Sequence, residues 1–524
     1  MPLLRWAGFG SPHRAFGMAP SRAGSLFRTK SISALIAASE HPSHRLRKTL
    51  GLGSLVALGV GAVIGTGIFT LTGTAAAGLK FEYPSVFKAP LLNLLLSGKD
   101  AVGTFGRPGA GPAISLSFIL VAIACGFAAL CYAELASMIP VAGSAYTYAY
   151  ATLGEIFAWI IGWDLILEYA VSNMAIAVGF GAYFNDLLDN VFGIHLPPQL
   201  AQPVFVEGKA TGAWFNLPAF LLVMLITWIL VRGIKESARA NNVIVSVKIG
   251  AILLFIFGAA GSVHSQNWHP FMPNGYSGVL TGAAIVFFTY IGFDAVSTAA
   301  EECKRPQRDL PIAIGLTLVA CAVLYAGVSL VLTGIAHWDT LNNDAPVANA
   351  LRAIGFNRLR FVVTVGALLG MVSALFVSQY GQTRIWFAMS RDRLLPRLFS
   401  RVHPRYETPH ASTWIAGIFV GIPAGIWDIG TLADLTNIGT LFAFVVVSAG
   451  VIVLRRSQPG HPRAFRVPWV PLLPILSILC CLVLMLSLPL ETWIRFVVWL
   501  VIGLAIYFLY SRKRVAASLA DASA

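Results

Sequence analysis

An all-α integral membrane fold of about twelve spanning helices is predicted by three features of this 524-residue sequence. Hydrophobic residues make up 57% and charged residues only 11%, whereas soluble domains carry roughly 25% charged residues. Mean hydropathy is +0.74. Uncharged apolar stretches long enough to cross ~30 Å of hydrocarbon recur from residue 51 to residue 511, and Lys and Arg gather in the breaks between them.

Residues 1–48 are rich in basic and small residues but contain no apolar core followed by a small-residue cleavage site, so they are expected to be a disordered cytoplasmic tail and not a signal peptide. The stretch from Lys30 to Ala38 would form a short amphipathic surface helix. Spans are predicted at 53–77, 111–136, 154–185, 216–233, 238–262, 278–302, 310–334, 358–387, 410–428, 431–454, 468–489 and 491–511, with 512–524 as a second tail. Twelve spans put both termini on one side. With the tails inside, 27 Lys and Arg lie on that side and 9 on the other, and Lys248 lies within a span. The positive-inside rule then makes both termini cytoplasmic.

Residues 79–108 are long for a connection between spans and include Pro84, Lys88, Pro90, Lys99, Asp100 and Arg107. They read as an extracytoplasmic insertion whose apolar run Leu91–Leu96 is too short to cross and would rest on the membrane surface.

The net charge of +14 belongs to these topology signals: no basic patch with interleaved aromatics suggests a nucleic-acid partner. Five of the six cysteines lie in apolar runs and Cys303 at a helix end, without disulfide or metal-ligand spacing. They read as helix-packing residues. No HExxH pair or Ser/His/Asp set marks an enzyme.

Glycines concentrate at Gly59-Val60-Gly61-Ala62-Val63-Ile64-Gly65-Thr66-Gly67 in the first span, weakening helix propagation at mid-membrane. A nucleotide loop would need a βαβ unit, which is lacking. Close helix packing through Gly61 and Gly65 is one reading. The other is a broken helix, whose freed N–H groups at Gly65, Thr66 and Gly67 receive a carboxylate while carbonyls near Val63 and Ile64 receive an ammonium group. The sixth span is interrupted as well, at Phe288-Thr289-Tyr290-Ile291-Gly292-Phe293-Asp294. Paired interruptions point to a midplane site in an inverted-repeat transporter, and an amino acid suits both kinds of exposed backbone end.

Lys248 lies ten residues, about 15 Å at 1.5 Å per residue, beyond Ala238. Its stem cannot snorkel back to water, so its charge is matched by the protein or given up as a proton. A structural ion pair is the competing reading. Asp164 and Glu168, four apart, share one helix face. Glu168 is the deeper candidate for coupling, and Asp164 reads as a hydrogen-bonding tie between helices. Asp294, just past the second interruption, would either accept from freed amides or complete a proton relay.

At these residues the sequence resembles the amino acid–polyamine–organocation superfamily, and specifically bacterial relatives of the cationic amino acid transporters. The matching stretches are Gly59–Gly73 (GVGAVIGTGIFTLTG), Cys131–Gly143 (CYAELASMIPVAG), Ser144–Gly154 (SAYTYAYATLG), Glu301–Pro311 (EECKRPQRDLP), Gln382–Pro396 (QTRIWFAMSRDRLLP) and Leu432–Phe444 (LADLTNIGTLFAF). The resemblance implies a transporter domain over 49–511 with a LeuT-type 5+5 inverted repeat, its halves at 53–262 and 278–454, discontinuous helices one and six, and two further helices at 468–511. It also implies that Thr66 and Gly67 bind substrate carboxylate, that carbonyls around Val63, Ile64 and Phe288 bind the amino group, and that Phe288 helps close the outer gate. Lys248 takes the place that the second sodium ion has in sodium-coupled relatives. Ser378 is expected near the substrate side chain, where it would leave room for a long cationic chain, or else it is a packing serine.

The expected function is a proton-coupled secondary active permease, moving cationic or small neutral L-amino acids across the bacterial inner membrane by alternating access. No cofactor is expected beyond the coupling proton, and the partners are the substrate and the bilayer. An amino acid/polyamine exchanger is the alternative. A channel or receptor would show continuous helices or a ring of pore charges.

Overall fold

The computed structural model describes residues 26–33, 35–36, 50–80, 85–97, 106–141, 143–206, 208–232, 238–343, 345–404, 406 and 408–515. Apolar sequence becomes helix wherever it was predicted. In chain order the helices are α1 Leu52–Val63, α2 Thr66–Ala77, α3 Leu91–Ser97, α4 Ile114–Met138, α5 Ser144–Thr152, α6 Glu155–Leu187, α7 Leu217–Arg232 and α8 Ala238–Ala259. There follow α9 Gly275–Val286, α10 Pro306–Ile335, α11 Asn357–Arg391, α12 His410–Ala424, α13 Ile429–Ser457, α14 Leu472–Leu486 and α15 Leu490–Ile506. Among the described residues eight helices are long and apolar enough to cross a bilayer, and α1 with α2, bent by 44° at their junction, make a ninth. The apolar α7 and α14 are shorter.

Exposed side chains show why such a molecule needs lipid. Leu116, Ile119 and Ile123 form one stripe on α4, and Ile312, Leu316, Val319 and Val323 another on α10, all exposed. Contiguous apolar faces of this kind are not tolerated in water. The last helix, α15, is fastened to α6 by indoles: Trp163 stacks on Trp499 with centroids 4.4 Å apart, and each donates its N–H to the other's carbonyl, at 2.9 and 3.2 Å. Trp159 likewise donates to the carbonyl of Gly503 at 2.9 Å.

The insertion is pinched at its base by a two-stranded antiparallel ribbon, β1 Gly78–Lys80 with β2 Gly106–Pro108. Gly78 has φ +79°, and a Cβ there would lie 2.4 Å from the nitrogen of Gly109, so glycine is required. Beyond the ribbon, the insertion lies along the turn joining α14 to α15 through hydrogen bonds from Leu91 N to Leu488 O and from Leu490 N to Ala89 O. α3 is therefore held by protein.

The N-terminal segment differs from the expectation of a disordered tail. Its described part, 26–33 and 35–36, is docked: Lys30 N donates to Tyr150 O, Glu155 N to Arg28 O and Ile156 N to Leu26 O. Ile32 is 4% exposed within the core. At Gly154, φ +103°, a Cβ would lie 2.6 Å from the Phe27 backbone, so the turn between α5 and α6 admits the segment only with glycine there. The rest of the predicted surface helix to Ala38, apart from 30–33 and 35–36, lies outside the described residues, as does 516–524 of the C-terminal tail.

Candidate substrate and coupling site

Two helix breaks lie against each other in the interior. Between α1 and α2 the helix stops at Val63, and Ile64 and Gly65 carry non-helical backbone, with ψ 89° and −141°. The first-turn amides of α2, those of Thr66, Gly67 and Ile68, have no carbonyl of their own helix within reach. After α9 the chain tightens into a 3-10 turn, Phe287–Tyr290, is extended at Ile291, and turns at Gly292 with φ +112°. A four-residue helix, Ala295–Thr298, follows Asp294. A Cβ on Gly67 would meet Thr289 Cγ2 at 2.7 Å, Thr289 Cα at 3.1 Å and Phe288 Cδ1 at 3.2 Å, while one on Gly292 would meet the carbonyl carbon of Ala62 at 3.1 Å. The breaks thus touch at both ends. Gly65 faces Ala374 of α11, at 3.3 Å from its built Cβ.

Two polar side chains hold this junction. Lys248 on α8 is fully buried, and its ammonium donates to Gly61 O at 2.6 Å and Ile64 O at 2.9 Å. Among the described residues no carboxylate lies within ion-pair distance of it, so the structural ion pair is not what holds it; the break's carbonyls do. Tyr325 of α10 places its hydroxyl 3.1 Å from Val63 O and 2.8 Å from Thr289 O. A hydroxyl has one hydrogen, so it serves one of the two carbonyls at a time. Sequence reasoning missed Tyr325, since a tyrosine in an apolar run carries no signal of its own.

Val63 O and Ile64 O, named from the sequence as ammonium acceptors, are here engaged by the protein, Val63 O also by Gly65 N at 3.0 Å. Thr66 Oγ1 is 3.4 Å from Thr70 Oγ1 and lies against Gly179 of α6. Phe288 is 6% exposed and packs on Gly67. Ser378 is half-buried, one turn along α11 from Ala374.

The carboxylates named from sequence sit apart from Lys248, toward the face where the N-terminal segment docks. Asp294 accepts from Ser144 Oγ at 3.4 Å. Glu168 and Asp164 are buried on α6, and one oxygen of Glu168 and both of Asp164 have no hydrogen-bond partner. The expectation that Asp164 ties helices together by hydrogen bonding is therefore corrected.

On the insertion side a cavity of about 1340 Å³ reaches inward as far as Thr70 of α2 and Leu167 of α6. Thr70 and Thr74 of α2, Val171, Met174 and Val178 of α6, and Leu432 of α13 line its inner part. Its five acidic residues all have partners. Asp186 pairs with Arg360, Asp189 with His195, Asp434 with Arg107 from β2, and Glu491 with Arg495, while Asp428 caps α13 at Thr431. The opposite side is bridged by three contacts among the described residues. Lys30 reaches Asp392, just past α11, at 2.7 Å and lies 4.5 Å over the Tyr150 ring, and Tyr146 Oη donates to Asp392 at 2.7 Å.

A bundle of apolar helices with two apposed breaks, a buried lysine on the break carbonyls and a cavity open to one side defines a membrane transport protein. The amino acid permease family profile matches residues 50–507. The chain is 49% identical over 492 residues to the branched-chain amino acid permease BcaP of Bacillus subtilis (94% of this chain, 98% of the relative). It is 50% identical over 411 residues to the methylthioribose transporter of the same organism (78% and 88%), and 39% over 367 residues to the vacuolar cationic amino acid transporter 4 of Arabidopsis thaliana (68% and 60%). The chain belongs to the amino acid permease family of the amino acid–polyamine–organocation superfamily, as its motifs implied.

Proposed function

We propose that this chain is a proton-coupled amino acid permease of the bacterial inner membrane with twelve spans, both termini cytoplasmic, and a 5+5 inverted repeat followed by two helices. The apposition of the two breaks around Gly67 and Thr289 carries this reading. It offers helix-end amides to a carboxylate and 3-10-turn carbonyls to an ammonium group within one water-poor site. Lys248 and Tyr325 hold the carbonyl side, and the cavity on the insertion face is the outward entrance. Lys248 is the coupling residue, and Glu168 and Asp294 are the carboxylates that complete the proton path.

An aliphatic or other small neutral side chain fits better than a cationic one. The inner cavity presents Val171, Met174, Val178 and Leu432, and of the acidic residues around the cavity Asp186, Asp434 and Glu491 are paired with arginines, while Asp428 is engaged by Thr431 at the start of α13. A guanidinium or ammonium chain lodged among these four apolar side chains would be desolvated without a counter-charge beside it, at a cost of several kcal/mol. The relative that spans nearly the whole chain is named for branched-chain amino acids, in the same direction. Proteoliposomes with an imposed inward pH gradient test this. Leucine, isoleucine or valine uptake is expected to exceed arginine and lysine uptake by at least about tenfold, one decade corresponding to ~1.4 kcal/mol. Arginine uptake equal to leucine uptake would defeat the specificity, and no effect of the gradient would defeat the coupling.

The docked N-terminal segment belongs to the same cycle as the closure of the cytoplasmic side. Lys30 and Asp392 are partly exposed, so their pair stabilises the outward-open arrangement by about 1 kcal/mol. Lys30→Ala is expected to lower the apparent affinity measured from outside by roughly fivefold, and Lys30→Asp with Asp392→Lys to restore it. An unchanged affinity in Lys30→Ala would leave the segment no part in closure.

A further inference from the structure

Asp164 is fully buried on α6, and neither carboxyl oxygen has a hydrogen-bond partner or a cation within 4 Å among the described residues. It rests on Gly439 of α13, where a Cβ would lie 2.7 Å from Oδ1. Leu167 stands one turn from Asp164 on α6 and Leu435 one turn from Gly439 on α13, and both line the outward cavity. The carboxyl group therefore lies one helical turn from cavity-lining leucines on both helices. We propose that Asp164 is a second proton-binding site of the transport cycle, loaded from the outward cavity when the Leu167–Leu435 layer parts. The proposal rests on the permease reading.

The surrounding chemistry suits a carboxylic acid and not a carboxylate. The hydroxyls flanking Gly439 are spent as donors on their own helix, Thr436 on Leu432 O at 3.0 Å and Thr440 on Thr436 O at 3.1 Å. Neither hydroxyl hydrogen-bonds Asp164, so a carboxylate there receives no hydrogen. An ionised Asp164 would be a bare charge in the interior, which costs several kcal/mol. The titratable groups facing this region do not supply a counter-charge. They are Glu168 on the same helix, Asp294 beyond the second break, and Tyr132, Tyr148 and Tyr169. On the packed helices Arg384 and Arg455 are directed to Glu302 and Glu134, Arg495 to Glu491, and on α5 Tyr146 and Tyr150 to Asp392 and Glu155. Among the described residues no three His, Cys, Asp or Glu side chains form a metal-holding group. A lone buried carboxyl without a cationic partner takes a proton. Bound from outside and released when the inner side opens and water reaches the group, it moves in the direction of the substrate.

Equilibrium binding of radiolabelled leucine to the purified protein across a pH series tests this without requiring turnover. A proton taken up with the substrate weakens binding by up to about tenfold per pH unit as pH rises past its release. Asp164→Asn is expected to remove one such dependence, leaving a shallower slope than wild type, and Asp164→Glu to keep the slope with a displaced midpoint. Equal slopes in wild type and Asp164→Asn overturn the proposal. Should Asp164→Asn not survive purification, an undisplaced midpoint in Asp164→Glu overturns it. A dependence on sodium, tested against choline, that Asp164→Asn abolishes would make the site a metal-cation site and overturn it equally. Failure of the wild type to bind leucine at any pH counts against the aliphatic specificity alone, and the series is then run with the amino acid that the uptake panel selects.

Discussion

Lys248→Met is expected to lose gradient-driven accumulation outright, the internal to external substrate ratio falling to about one while exchange of labelled for unlabelled substrate persists. With one proton per substrate, an inward gradient of one pH unit sustains up to about tenfold accumulation, so the difference is readily measured. The cause is geometric. Methionine fills the stem's space beside Gly370, 3.3 Å from the lysine Cδ to a built Cβ, but leaves Gly61 O and Ile64 O without their donor. Each unsatisfied buried carbonyl costs ~1–3 kcal/mol, so the variant should also melt at a lower temperature. Thermal stability and exchange are measured beside accumulation to separate the two losses. A Lys248→Met protein that still concentrates substrate in response to the gradient would move the coupling role to Glu168, Asp294 and Asp164.

Gly67→Val is expected to abolish uptake, to below about 1% of wild type, with membrane insertion intact. The sequence suggested that a branched side chain would screen the amides meant for the carboxylate. The structure adds a second cause, because the new atoms would strike the backbone of Thr289 and drive the two breaks apart. Overpacking of this kind costs roughly 1–3 kcal/mol. The two causes separate in Gly67→Ala combined with Thr289→Ser, which deletes the Cγ2 atom that the alanine would meet at 2.7 Å. Recovered protein stability without recovered substrate affinity would assign Gly67 to binding. Recovery of both would assign it to packing, the role that its spacing already allowed. Thr66→Ala should do less harm than either, since the backbone amides remain.

Legibility followed the range of the forces involved. Helix positions were readable because burial in lipid acts on each apolar run separately, and all twelve predicted segments coincide with helix to within a few residues. Both breaks were readable because glycine acts locally on the backbone. Lys248 was conspicuous because a lysine in mid-span has few physical solutions, yet its partners were not legible: they are main-chain carbonyls nearly two hundred positions away, and a carbonyl has no identity in a sequence. Asp164 was misjudged for the same reason. Whether a buried carboxyl finds a donor depends on which face of another helix it meets, and that face proved to be Gly439.

By itself, then, the amino-acid sequence determined the membrane as solvent, the helices and their two interruptions, and the family to which the chain belongs, since apolar run length, glycine placement and contiguous motifs are properties of neighbouring residues. The tertiary structure alone decided that the breaks touch at Gly67 and Gly292, that Lys248 and Tyr325 hold the break carbonyls, that Asp186 and Asp434 beside the cavity pair with Arg360 and Arg107, and that residues 26–33 pack on the α5–α6 turn instead of trailing free. Each of these joins groups far apart in the chain through packing or a hydrogen bond of a few ångströms, and such distances exist only once the helices have been brought together.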